Sequence, residues 1–168
     1  MHYLIIVLRL LHVVGGAFWF GSAILTGFFI SPTVAATGEV GQKFMGALVK
    51  NAGITKIIAA VAGTTVLAGA ILYWIDSDGF SSAWTRSGPG LVFGIGGVFG
   101  LIGFIYGMQI GTNLNKLVKT GSEVQGKPTA EQMGIMQAAQ KKLSTVGPIS
   151  SFALIIAVVC MSVARYWF

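Results

Sequence analysis

The stretch from Tyr3 to Ile30 is apolar almost throughout and contains no turn signal. About 20 consecutive apolar residues are enough for an α-helix to cross the hydrocarbon core of a bilayer. The stretch nevertheless contains Arg9 and His12, which lie within one helical turn of each other. Ionisable side chains are costly inside a bilayer, and they mark functional sites by default. The sequence therefore predicts a membrane span that contains a functional site.

Three further apolar runs follow, so we predict an all-α fold: a polytopic membrane four-helix bundle made by a single domain, residues 1–168. The predicted spans are Tyr3–Ile30, Ile54–Ile75, Gly90–Ile110 and Val146–Phe168. The chain is 54% hydrophobic and only 10% charged, whereas charged residues make up about a quarter of a typical soluble domain. The lipid bilayer is therefore its expected partner.

The first span is expected to be retained and not cleaved as a signal peptide. Its apolar run is too long, no charged segment precedes it, and no small-residue cleavage site closes it. The single cysteine, Cys160, lies in the last apolar run, so no internal disulfide can form.

Proline and capping signals predict how the spans are connected. Ser31-Pro32 is expected to end the first span, because proline lacks an N–H donor. The mixed stretch 37–51 predicts an interfacial helix that leads into the second span. Thr129 and Gln132 have capping-box spacing, and they predict a short helix beneath the bundle, which Gly147-Pro148 then kinks into the fourth span. We thus expect short interfacial helices in both long loops.

The lysines concentrate in the first and third loops, whereas the second loop carries Arg86, Asp76 and Asp78. The lysines are Lys43, Lys50, Lys56, Lys116, Lys119, Lys127, Lys141 and Lys142. The positive-inside rule predicts that both long loops are cytoplasmic and that both termini lie outside. The net charge of +6 is thus an orientation signal, and we expect no nucleic-acid partner.

The third span is rich in glycine at intervals of four residues. Gly96 and Gly100, and then Gly103, Gly107 and Gly111, have the small-xxx-small spacing that lets helix backbones approach closely. We expect both sets to face other helices. Glycines could also leave a flat slot for a planar cofactor.

The first span places a candidate site on one helix face. At about 100° per residue, His12, Gly16 and Trp19 fall on the same face, and Arg9 lies one turn nearer the outside. Such a face suits a b-type haem: the imidazole ligates iron, the guanidinium pairs with the propionates, and the glycine admits the ring. Arg165 lies at about the same level on the fourth span.

A cofactor-free alternative explains the same residues. In it, His12 hydrogen-bonds a neighbouring helix through Thr64 or Thr65, while Arg9 extends toward the outer surface. A metal ion or a quinone-like substrate at His12 is a third alternative.

A second axial ligand is not obvious. His2 is ten residues from His12, about 15 Å along a helix, so the two cannot bind one iron within one chain. The candidates are Met108 on the third span, Met161 on the fourth, and a residue of another subunit. The last would make the chain part of a homo-oligomer or a larger membrane complex.

Several other chemistries lack support. No aspartate or glutamate lies inside any span, so a carboxylate proton relay is not expected. Common hydrolase, redox and nucleotide motifs are missing. A copper path would need several soft ligands, and the supply is small: His2, His12, Met108, Met161 and Cys160.

The stretch Leu11-His12-Val13-Val14-Gly15-Gly16-Ala17-Phe18-Trp19-Phe20-Gly21 resembles the first helix of a group of small bacterial four-helix membrane proteins. That group includes copper-resistance-protein-D-like domains and HemJ-type protoporphyrinogen oxidases. The closing stretch 161–166 is similar to the last helix of relatives in this group. The resemblance implies haem-b or copper handling in the bacterial cytoplasmic (inner) membrane, with His12 as the ligand.

The oxidases of that group also carry an important lysine near the start of the third helix. Residues 88–91 stand in that region here, and the next lysine is Lys116. We therefore expect no protoporphyrinogen oxidase activity. Three functions remain open: a haem-b protein for electron transfer or haem handling, a copper-handling protein, and an accessory subunit without a cofactor.

Overall fold

The computed structural model describes residues 2–167, apart from the side chain of Ser82. The protein is 89% helix, and residues 2–167 contain no strand. The helices are α1 (His2–Ile24), α2 (Ser31–Thr37), α3 (Glu39–Lys50), α4 (Ile54–Asp76), α5 (Ser82–Thr85), α6 (Gly88–Glu123) and α7 (Ala130–Val163). A π-helical segment, Leu25–Ile30, joins α1 to α2, and a 3₁₀ turn, Ala164–Tyr166, follows α7.

Four of the helical runs are long and apolar enough to cross a membrane: His2–Thr37, Ile54–Asp76, Gly88–Glu123 and Ala130–Tyr166. Their number and order confirm the prediction of four long apolar helices. Three of them are longer than predicted, because polar residues extend the helices beyond their apolar runs.

Ser31-Pro32 does not end the first helix, so that prediction is wrong. The helical run continues through the π-helical segment into α2, with the proline in the first turn of α2. There the N–H of Ser31 still bonds the carbonyl of Thr26 five residues back. Proline is tolerated at this point because its missing donor falls where the hydrogen-bond pattern changes from π to α.

Of the two predicted interfacial helices, only α3 is separate. The capping box is confirmed, since the Thr129 hydroxyl accepts from the Gln132 N–H at 3.2 Å and the Gln132 side chain accepts from the Thr129 N–H at 3.0 Å. It starts α7 itself, however, and that helix runs without interruption through Pro148. The second short helix is therefore the first part of α7.

On α3, Lys43 donates a hydrogen bond to Glu39 at 2.8 Å. This bond and the lysine charge hold the pKa of the Glu39 carboxyl below its ordinary value. Both side chains are exposed, so the pair contributes little to stability.

Residues later in α1 contact residues earlier in α4. His12 contacts Thr65, whereas Trp19, farther along α1, packs with Ala62, which comes earlier in α4. The two helices are therefore antiparallel.

The second helix pair, α4 and α6, is antiparallel in the same way. The Tyr73 hydroxyl donates to the carbonyl of Gly90 at 3.1 Å near one end of the pair. At the other end, the Thr55 hydroxyl donates to the Asn115 side chain at 3.2 Å.

Helix α7 contacts both α6 and α1. Leu154 packs beside Gly103 of α6 and also belongs to a buried cluster with Trp19 of α1. Farther along α1, Gly27 lies beside Ser151. The four helices therefore alternate in direction, which puts both chain ends at one end of the bundle, here called the terminal end. The opposite end, called the lysine end, carries the two lysine-rich connections.

The glycines of α6 divide into two groups. A Cβ on Gly96 would lie 3.0 Å from the Cys160 Cβ, and one on Gly103 would lie 2.6 Å from a methyl carbon of Leu154. These two glycines face α7, as predicted. A Cβ on Gly100 would meet nothing within 4 Å, so its predicted contact with another helix is wrong. Seven residues span almost two full turns, which keeps Gly96 and Gly103 on one face.

Leucine at Gly103 should destabilise the bundle, whereas leucine at Gly100 should not. Gly103→Leu forces a side chain into the α6–α7 contact, and overpacking of this kind costs about 1–3 kcal/mol. Gly100→Leu makes the same chemical change on the open face. Thermal unfolding in detergent measures both, and equal melting temperatures for the two variants would contradict the assigned faces.

Candidate functional site at His12

His12 is half-buried in the contact between α1 and α4. Its Nδ1 lies 2.8 Å from the backbone carbonyl oxygen of Thr65. A carbonyl only accepts, so Nδ1 carries the proton and donates. In this tautomer the lone pair lies on Nε2, which forms no hydrogen bond with residues 2–167. The ring is thus held by one nitrogen and has the other available as a ligand.

Glycine at position 69 makes room for this imidazole. A Cβ on Gly69 would lie 2.5 Å from Cε1 and 2.7 Å from Nδ1 of His12. The ring therefore rests against the backbone of α4, one turn beyond Thr65. Any larger residue at position 69 would displace the imidazole from its hydrogen bond.

Gly15 makes room for Thr65, and Gly16 lies in ordinary contact with it. A Cβ on Gly15 would lie 2.5 Å from the Thr65 hydroxyl oxygen, and one on Gly16 would lie 3.5 Å from its methyl carbon. The glycines thereby bring α1 close enough to α4 for His12 to reach the Thr65 carbonyl. The contact made by Gly16 is with a side chain of this chain, whereas the sequence suggested a cofactor ring.

Trp19 is two turns from His12 and lies in the bundle interior. It is 5% exposed, and its ring meets Phe104 of α6 edge-on at a centroid distance of 6.3 Å. Met108 is one turn beyond Phe104, toward the lysine end. His12 and Met108 are thus separated by eleven residue steps, about 16 Å along the bundle axis. They do not meet within one chain.

Met161 lies near the level of His12. Both residues are seven positions from the cluster that joins Trp19 to Leu154, and both lie toward the terminal end. The Met161 methyl carbon, however, faces Gly96 of α6. Met161 and His12 therefore share a height along the bundle axis, and no contact between their side chains is seen.

Arg9 and Arg165 are both exposed near the terminal end, at about the same level. The only salt bridge among the described residues is the one on α3, so neither arginine has an acidic partner there. His2 is also exposed, and its ring packs edge-on to Tyr3 at a centroid distance of 6.2 Å. It is not brought near His12.

Within residues 2–167, no group of three or more His, Cys, Asp or Glu side chains could hold a metal ion together. Cys160 is a free thiol, half-buried in α7.

Compared with protein-family models, curated proteins and solved structures, the chain gives no significant match. Function therefore has to be inferred from its own side chains. The sequence pointed to Thr64 or Thr65 as partners of His12, but it did not single out Gly69. The only signal for Gly69 was its spacing of four residues from Thr65, on the same helix face.

The Thr65 hydroxyl is buried without a hydrogen-bond partner among the described residues. Thr65→Val should therefore raise the free energy of unfolding by about 1 kcal/mol, because an unsatisfied buried polar group is removed. Thr64→Val is the matched control, since that hydroxyl is exposed and donates to the Ala60 carbonyl at 2.9 Å. Denaturation in detergent compares the two variants, and a clear loss of stability in Thr65→Val would mean that its hydroxyl has a partner.

Proposed function

We propose that this chain is a multi-pass protein of the bacterial cytoplasmic membrane that binds a b-type haem through His12, for electron transfer or haem handling. The observation that carries the proposal is the hydrogen bond from Nδ1 to the Thr65 carbonyl, with Nε2 left without a partner among residues 2–167. A histidine that ligates a metal almost always donates its other ring N–H to such a group. The bond fixes both the tautomer and the ring orientation that a ligand needs.

Exposed apolar surface on all four long helices supports the membrane assignment. Phe18 of α1, Leu67 of α4, Val98 of α6 and Phe152 of α7 are all between 49% and 66% exposed. Soluble monomers rarely leave apolar patches of this extent uncovered, and lipid would cover them.

The distribution of charge supports the orientation. All eight lysines and three glutamates belong to the lysine end, which gives it a net charge of +5. The terminal end has three arginines and two aspartates, a net charge of +1. The positive-inside rule then puts the lysine end in the cytoplasm and both termini outside.

Few side chains of this chain are placed to hold a haem, but they are of the types that bind its iron and its propionates. Nε2 of His12 would ligate the iron, which supplies one-electron chemistry when haem is bound. Arg9, one turn nearer the terminal end, would pair with a propionate. This chain would offer the iron one imidazole, and any second protein ligand would come from another subunit.

The alternatives differ in what they require of the same residues. Copper handling would need several soft ligands along a path, and the described residues contain no group of three or more His, Cys, Asp or Glu side chains placed to hold a metal. A cofactor-free accessory subunit would use the bond from His12 to Thr65 only to hold α1 on α4. The absorption spectrum of the purified protein separates these functions, because only haem gives a Soret band.

Single cysteines should report the orientation. In a Cys160→Ala background, Ser122→Cys at the lysine end should be protected from an impermeant thiol reagent on intact cells, because that end faces the cytoplasm. Asp78→Cys, in the connection between α4 and α5, should react. Labelling of Ser122→Cys without permeabilisation would reverse the assignment.

Replacement of His12 should abolish haem binding without loss of the fold. Protein expressed with a haem precursor and purified in detergent should show a Soret band, and His12→Ala should lose it, because the axial ligand is removed. Gly69→Ala keeps the imidazole but displaces it from Thr65, so the Soret band should shift or weaken. Arg9→Ala should weaken haem retention through the loss of the propionate contact. Absorption spectra and haem content per chain measure all of these variants.

His2→Ala is the matched control for His12→Ala, since it removes an exposed histidine from the same helix. It should leave haem content unchanged. Size-exclusion chromatography should show that the His12→Ala protein remains folded and monodisperse. Full haem retention in His12→Ala, or no Soret band in the wild type under any loading condition, would rule out the proposal.

A further inference from the structure

A cavity of about 320 Å³ lies inside the half of the bundle nearer the lysine end. Trp19 and Phe104 border it toward the terminal end, and Met45 and Leu48 of α3 border it toward the lysine end. The π-helical segment, α4, α6 and α7 complete its walls. Its volume falls within the range of small-molecule pockets, about 300–1,000 Å³. His12 is not among its lining residues, so the cavity is separate from the haem site proposed above.

A hydroxyl without a hydrogen-bond partner lines this cavity. Ser151 is only 5% exposed as a whole residue, and no described residue pairs with its hydroxyl, whereas Thr65 carries the only fully enclosed unpaired hydroxyl among the described residues. The neighbouring Ser150 is different, since that hydroxyl donates to the Gly103 carbonyl at 3.0 Å. Because the Ser151 hydroxyl is accessible from the cavity, it can donate a hydrogen bond to an acceptor on a ligand there.

The backbone of the cavity wall is irregular in two places. The π-helical segment contributes Thr26, Gly27 and Ile30 to the lining, and π-helical turns are frequent at functional sites. Across the cavity, Pro148 lies three residues before Ser151 in α7 and lacks the N–H that a regular α-helix uses there. Gly27 lies opposite Ser151, where a Cβ would be 3.2 Å from the hydroxyl oxygen. The free hydroxyl thus lies between two departures from regular α-helix.

We infer that this cavity binds a neutral amphipathic molecule that has carbonyl oxygens on an apolar ring, the class to which membrane quinones belong. The hydroxyls of Ser22, Thr26 and Ser151 line the cavity as donors for such oxygens. The other walls are largely apolar, and the only charged lining residue is the exposed Lys56. An acyl chain would leave Ser151 without an acceptor, and an anionic head group would find no buried cation.

Quenching of Trp19 fluorescence tests this inference. The triple variant Trp74→Phe, Trp84→Phe, Trp167→Phe keeps Trp19 as the only tryptophan, and Trp19 lines the cavity. Titration with decylubiquinone in detergent should quench it saturably. Decylbenzene carries a similar tail and no carbonyl, so it should compete at least tenfold more weakly. The decylubiquinone concentration that gives half of the quenching should be the same in a His12→Ala background, since the haem site is separate.

Two substitutions in the single-tryptophan protein test the assigned walls. Ser151→Ala should weaken decylubiquinone binding about fivefold, as expected for the loss of one hydrogen bond. Gly107→Leu should weaken it more than tenfold, because the side chain enters the cavity; a Cβ there meets only the Ser150 hydroxyl, at 3.9 Å. Gly100→Leu lies outside the cavity and should have no effect. Equal binding of decylbenzene and decylubiquinone, or unchanged binding in Ser151→Ala, would overturn the inference.

Discussion

The close approach of α1 to α4 is the contact on which the candidate site depends. Gly15 and Gly16 of α1 leave space for Thr65, and Gly69 of α4 leaves space for His12. Only at this separation does the imidazole reach a backbone carbonyl of the facing helix. Helices in lipid gain no hydrophobic energy from pairing, so close packing of small residues and interhelical hydrogen bonds supply the association. The same glycines that hold the two helices together therefore also orient the histidine.

The architecture could be predicted because it follows from the apolar runs, whereas element ends and contact faces could not. Thr129 and Gln132 started a helix as expected, since a capping box is a local signal. Pro32 did not end the first helix, because neighbouring hydrogen bonds continue past a single missing donor. Gly100 was assigned to a contact by its spacing, but α7 covers only the face that carries Gly103.

Part of the candidate site was also predictable, because it depends on a local sequence signal. His12 stood out because an ionisable group in an apolar run is rare, and Thr65 was one of two expected partners. The cavity near Ser151 could not be found in this way. Its walls come from several helices, and Ser151 itself is not unusual in its own segment. A space between helices depends on how they pack, which no local pattern records.

The π-helical segment also changes the rotational phase of the first helical run. Its hydrogen bonds reach five residues back, which is equivalent to one extra residue inserted into an α-helix. Everything after it is turned by about 100° relative to an uninterrupted helix. The face defined by His12 and Trp19 therefore does not continue onto α2, whose first residue is Ser31. Deletion of one residue from this segment would therefore restore a regular α-helical phase between α1 and α2. A change of one codon in the gene would be enough to do this.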